Sequence, residues 1–135
     1  MKFLTEEWFE EFKPIVLDTF AAGKTPSKIS TTLCEMYSDV PFANGEKLWM
    51  FFKFDNGVVT ECTRGVGLST VPEAEYTTDA TYEVVVKLLK GEMANAKALL
   101  KGQVKLKGNV SKALKLISTH DVLDKCKFVN GTTEF

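Results

Sequence analysis

The chain has 135 residues, 17 basic and 18 acidic side chains, a net charge of −1 and 44% hydrophobic residues. That length suits a single domain over residues 1–135, and the hydrophobic fraction excludes a disordered chain. No apolar run approaches the roughly 18 residues of a spanning helix, no apolar signal core follows Met1-Lys2-Phe3-Leu4, and near-neutrality argues against a nucleic-acid partner.

The first predicted element is a helix. Thr5 is placed as its N-cap, Glu6 and Glu7 put negative charge in the first turn, and Leu4 is positioned to staple onto Phe9. Trp8, Phe9, Phe12, Ile15, Val16 and Phe20 recur at helical spacing. Pro14 predicts a kink or a break, and Gly23 a stop. Thr25-Pro26 then reads as the N-cap and first residue of a second helix. Ile29, Leu33 and Met36 share one side of it, and Pro41 ends it.

Residues 47–64 predict a hairpin. Leu48, Met50, Phe52 and Phe54 alternate with Trp49, Phe51 and Lys53, and Asn56-Gly57 suits a type I′ turn. With a two-residue loop, Asp55 pairs with Val58, Phe54 with Val59 and Phe52 with Glu61. Leu48, Met50, Phe52, Phe54 and Val59 are then assigned to the core, and Cys62 to the less apolar face. Trp49 and Phe51 are excess aromatic surface on that other face, awaiting a covering loop or a homodimer contact.

Gly65, Gly67 and Pro72 mark a loop before a short strand at 74–78. Thr78 or Asp79 then caps a helix with Tyr82, Val85, Val86 and Leu89 inward, although Val84 to Val86 also suit a strand. Gly91 closes it. A short helix from Ala94 to Leu100 ends at Gly102, and Val104 to Lys107 alternate as a strand. Asn109 caps a last helix carrying Val110, Ala113, Leu114 and Ile117, with a second cap at Ser118 and Asp121 before Val122, Leu123 and Cys126. The pattern is α+β, an antiparallel sheet with helices on one face.

Charge is unevenly placed along this chain. Residues 1–86 carry 7 bases and 14 acids, a net of −7, whereas residues 87–135 carry 10 lysines and 4 acids, a net of +6. The lysine-rich part is either an ordinary solvated face or one that meets an anionic headgroup, a phosphate or an acidic partner. Catalytic chemistry finds little support. His120 is the only histidine and has no obvious orienting partner, so an ordinary surface or interface residue is expected. Asp121 is a capping residue first. Cys34, Cys62 and Cys126 are too few and too scattered for a disulfide scaffold or zinc site, and read as buried thiols in a reducing cytoplasm. Gly65-Val66-Gly67 is half a phosphate loop without its βαβ setting. No catalytic residue, metal ligand or cofactor is expected. Ten phenylalanines and two tryptophans are a surplus of bulk that fits either a dense solid core or a cavity for a lipid-like ligand.

One stretch carries a family resemblance. Thr78-Asp79-Ala80-Thr81, Leu88-Leu89-Lys90-Gly91, the run Leu100 to Asn109 (LKGQVKLKGN) and Ala113-Leu114-Lys115-Leu116 follow in order. They resemble the sterol carrier protein 2 family, with its Asp-containing strand, L-L-x-G helix end, strand of the form G-x-[VL]-x-[VL]-x-G-[DN] and L-x-L helix. The N-terminal helix and the hairpin are compatible with the family's order. The resemblance implies a five-stranded, mostly antiparallel sheet covered on one face by helices. It also implies a hydrophobic tunnel that binds and transfers fatty acid, acyl-CoA, phospholipid or isoprenoid and sterol-like ligands without covalent chemistry. The implied lining is Phe52, Phe54, Val85, Leu89, Leu99, Leu100, Leu106, Leu114 and Ile117, with Leu123 on a lid or side wall. Lys101, Lys105, Lys107, Lys112 and Lys115 become a candidate headgroup or peripheral membrane face. The end Gly131-Thr132-Thr133-Glu134-Phe135 lacks the peroxisomal tripeptide, so a prokaryotic cytoplasmic carrier is expected. The alternative is a small protein-interaction or homodimerising module with a solid core, using Trp49 and Phe51, beside a lipid-modifying enzyme.

Overall fold

The computed structural model describes all residues from Met1 to Phe135. Helix α1 (Glu6–Thr19) begins as its sequence requires, with the Trp8 N–H donating to the Thr5 side chain at 3.2 Å. Pro14 lies inside it without dividing it. Burial of Trp8, Phe12 and Val16 against the sheet accounts for this, since packing of an apolar face supplies most helix stability. Trp8 stacks on Phe12, and Phe12 and Phe20 meet Phe52 and Phe54 edge to face. These aromatic pairs form a solid core under α1.

The segment after Pro26 departs from its predicted helix. It forms strand β1 (Thr31–Ser38), paired antiparallel with β2 (Leu48–Asp55) and parallel with β4 (Tyr76–Thr81). β1 lies at the centre of a five-stranded sheet of order β3-β2-β1-β4-β5, where β3 is Val58–Val66 and β5 is Lys105–Gly108. A central strand is covered on both sides, so apolar residues occupy both of its faces and the period of two disappears. Leu33 and Tyr37 point with Glu35 toward the helices; Cys34 and Met36 point away. All other neighbours in the sheet pair antiparallel.

The hairpin forms with Asn56 and Gly57 at positive φ (50° and 84°), and Phe54 pairs with Val59 as expected. One residue further on, the register shifts. Thr60 is an extra residue in β3, so Phe52 faces Cys62 rather than Glu61. Cys62 therefore belongs to the helix-covered face, where it is buried. The same shift turns Arg64 toward α1, where its Nε donates to the Leu4 carbonyl at 2.8 Å.

On the opposite face, Trp49 and Phe51 are covered by their own chain. Val71 and Ala74 pack over them and Cys34, and Trp49 Nε1 donates to the Thr70 hydroxyl at 3.0 Å. The Trp49 ring lies so close to Gly65 that a Cβ there would collide with it. The aromatic surplus that suggested a homodimer contact is thus accounted for within the chain.

Helix α2 (Tyr82–Leu89) follows β4 directly, capped by Thr81 rather than Thr78 or Asp79, because β4 continues to Thr81. Short helix α3 (Asn95–Leu100) lies between Gly91 and Gly102. Asn109 caps α4 (Val110–Lys115) as expected. The chain then breaks at Leu116, so that α5 (Ile117–Cys126) starts before the predicted second cap. No helix is long and apolar enough to cross a membrane.

Candidate functional site

Three strands and four helices leave a partly open pocket between them, of about 110 Å³. Glu35, Tyr37, Thr78, Ala80 and Leu106 form its floor, as alternation in β1, β4 and β5 dictates. Val85, Leu88 and Leu89 of α2, Leu99 of α3, Ala113 and Leu114 of α4 and Ile117 of α5 close over them. Of 18 lining residues, 12 are hydrophobic, which makes the cleft mainly apolar.

Among the lining residues, Tyr37, Glu35, Lys127 and Asp124 form a connected network, and His120 pairs with Tyr76 beside it. Lys127 Nζ lies 2.9 Å from Glu35 Oε1 and 2.9 Å from Asp124 Oδ1, and the Tyr37 hydroxyl donates to Glu35 Oε1 at 2.7 Å. His120 Nε2 lies 3.0 Å from the Tyr76 hydroxyl. Burial alone would raise the Glu35 pKa, but the Lys127 ammonium and the Tyr37 hydrogen bond hold it below the usual range. Burial opposes charge on Lys127 as well, and Asp124 and Glu35 outweigh it, raising that pKa. His120 is pushed below its ordinary value by burial, against the pull of Glu35 and Asp124, and is neutral at pH 7. The site is therefore a buried ion pair beside an apolar cleft, and no group of His, Cys, Asp and Glu side chains has the arrangement of a metal site.

The residues singled out from the sequence fall in three places. Val85, Leu89, Leu99, Leu106, Leu114 and Ile117 line the pocket. Phe52, Phe54 and Leu123 are buried in the core outside it, because α1 and α5 fill that part of the helical face. Leu100 points into solvent at 89% exposure. The lysines also divide. Lys105 and Lys107 alternate with Leu106 and so lie on the side of β5 away from the helices. Lys112 is held by Glu75 at 2.9 Å and by the Ser30 carbonyl at 3.0 Å. Lys101 and Lys115 are exposed at the ends of α3 and α4, on the pocket's side of the sheet.

The network itself was not apparent from the sequence. Glu35 and Tyr37 lie on the strand whose periodicity suggested a helix, and Asp124 and Lys127 are distant in sequence. His120, expected as an ordinary surface or interface residue, lines the pocket beside Tyr76. The one available signal was Glu35 between Leu33 and Tyr37, a lone carboxylate on an otherwise apolar strand face.

A family model described as the SCP-2 sterol transfer family matches residues 40–121. Curated protein sequences yield no significant match. Among solved structures, the chain is similar to a crystal structure of sterol carrier protein 2, with 19% identity and a TM-score of 0.73 over 92% of this chain and 95% of that one. It is also similar to a solution structure from Thermus thermophilus titled a conserved hypothetical protein, possibly sterol carrier protein: 18% identity, TM-score 0.64, 93% and 85% covered. A third is the palmitated SCP2-like 2 protein from Aedes aegypti, with 17% identity and a TM-score of 0.55 over 82% and 91%.

Proposed function

Because the chain belongs to the SCP-2 sterol transfer family, we propose that it is a non-enzymatic carrier whose pocket takes the hydrophobic chain of a lipid-like ligand. The observation that carries this reading is the apolar cleft between the sheet and α2, α3, α4 and α5, open to solvent beside Leu114 and Ile117. Val85, Leu89, Leu99, Leu106, Leu114 and Ile117 are the proposed chain contacts. Burial there stabilises the ligand by about 0.8 kcal/mol per methylene, without covalent chemistry or a cofactor. A palmitated neighbour of the same fold supports a ligand of acyl-chain type.

The pocket is smaller than the roughly 300–1,000 Å³ of sites that bury whole small molecules. Binding a long chain therefore requires the pocket to widen into a tunnel. The segment carrying α3 is built to move: of its residues only Ala98 is buried, and its N-cap makes no side-chain hydrogen bond. Gly91 and Gly102, at positive φ with open space around them, stand on either side. Outward movement of this segment would carry Leu100 toward a lipid surface beside the already exposed Leu114 and Ile117 of α4 and α5, with Lys101 and Lys115 meeting anionic headgroups.

Native mass spectrometry of gently purified protein tests the reading, supported by titration with a fluorescent long-chain amphiphile. A co-purifying hydrophobic ligand, or saturable binding at one site, is expected. Lipid-free spectra together with no binding would refute it.

A further inference from the structure

The polar end of the pocket is made of buried charge. The Glu35 side chain is 7% exposed and that of Lys127 2%. Both hydrogen-bonding partners of Glu35, the Tyr37 hydroxyl and the Lys127 ammonium, engage Oε1. Oε2 of the same carboxylate has no protein donor, although Glu35 lines the pocket. His120 and Asp124 line it as well, and the His120 Nε2 is taken up by Tyr76.

The charges at this end do not cancel. Two carboxylates, Glu35 and Asp124, share one ammonium. Burial keeps His120 neutral, so the formal charge there is −1. A carboxylate arriving on a lipid chain would lose its water shell beside this excess negative charge. A hydroxyl or an ammonium would instead supply the missing hydrogen to Oε2, and an ammonium would also cancel the excess charge.

We propose that the Glu35–Lys127–Asp124 end of the pocket is a headgroup subsite for a hydrogen-bond donor without negative charge, a hydroxyl or protonated amine on an apolar chain, and that it discriminates against a carboxylate. The inference rests on the pocket being the lipid site. It narrows the ligand from any acyl lipid to long-chain alcohols and amines.

The test is displacement of a neutral fluorescent hydrophobic probe by three amphiphiles of equal chain length at neutral pH: a fatty acid, a fatty alcohol and a fatty amine. The alcohol and the amine should bind at least about tenfold more tightly than the acid, a difference of about 1.4 kcal/mol. Asp124→Asn removes the excess charge while leaving Glu35 paired with Lys127. It should bring the acid to within about threefold of the alcohol by strengthening acid binding. Equal affinities in the parent protein, or an acid-to-alcohol ratio unmoved by Asp124→Asn, overturn the subsite while leaving the carrier reading intact. Failure of all three amphiphiles to displace the probe removes the carrier reading and the subsite with it.

Discussion

Replacing Lys127 with Met should destabilise the protein strongly, in a way that depends on pH. The ammonium lies 2.9 Å from Glu35 Oε1, and the Glu35 side chain is 7% exposed. Asp124, at 25% exposure, reaches water and loses less. Removing one partner of a buried pair costs about 3–5 kcal/mol, because the other charge is left uncompensated. For a chain of this size each kcal/mol lowers Tm by about 4 °C, so a fall of about 12–20 °C at pH 7 is expected. In the parent the folded Glu35 pKa is depressed. Its contribution is therefore present above the unfolded value of about 4.3 and is lost as pH falls through the folded value. Without Lys127 the main influence opposing burial is lost, the Tyr37 hydrogen bond alone does not offset it, and the folded pKa rises above the unfolded one. The variant then gains from Glu35 only below about pH 4.3, and loses that gain as pH rises. Thermal melts at pH 7 and at about pH 5 should show the gap between parent and variant narrowing with acidity. Adding Glu35→Gln to Lys127→Met should recover more than half of the loss. A fall of less than about 4 °C, or one equal at both pH values, would refute the assignment of this pair as a buried ion pair.

Three further outcomes are expected. Leu99→Trp fills the cleft beside α3 and should weaken binding of a hydrophobic probe by about tenfold, with Tm changed by less than about 4 °C; undiminished binding would move the ligand elsewhere. Lys101→Glu with Lys115→Glu should weaken sedimentation with anionic vesicles by about tenfold or more. Lys105→Glu with Lys107→Glu, on the far side of β5, should not; equal effects would contradict a docking face at the pocket mouth. Burial pushes the Cys34 and Cys62 thiols up to about 12, so both should resist a thiol-reactive dye at mildly alkaline pH until denaturant is added. Rapid labelling of either in the folded protein would disprove their burial.

Local signals made much of the fold legible. Thr5 and Asn109 cap α1 and α4, Asn56-Gly57 turns the hairpin, and Val104 to Lys107 alternate into β5. Such features are written within a few residues of where they act. β1 was not legible, because a strand covered on both sides loses its alternation, and Thr25-Pro26 happens to imitate a helix start. The Thr31, Thr32, Cys34 and Tyr37 composition was the better guide. The apolar walls around Leu89, Leu106 and Leu114 followed from the family resemblance. The polar end could not follow from any motif. Its members come from β1 and the last turns of the chain, and only the parallel centre of the sheet and the path of α5 bring them together. Phe52 and Phe54 were placed on the correct face of the sheet, but which helix covers each part of that face is a long-range fact.

The extra residue at Thr60 divides β3 into two halves of opposite phase. Before it, the odd-numbered Val59 faces the helices; after it, the even-numbered Cys62 and Arg64 do. Deleting Thr60 would keep every hydrophobic residue in the chain and yet turn Cys62 and Arg64 to the other side or drag the whole strand against its partner. The Leu4 carbonyl, at φ 72° in a tight entry to α1, would lose the guanidinium that anchors it. This hairpin therefore tolerates exchange of residues more readily than change of length. Sequence comparison across β3 that treats a gap there as a neutral event would align inward-facing residues with outward-facing ones.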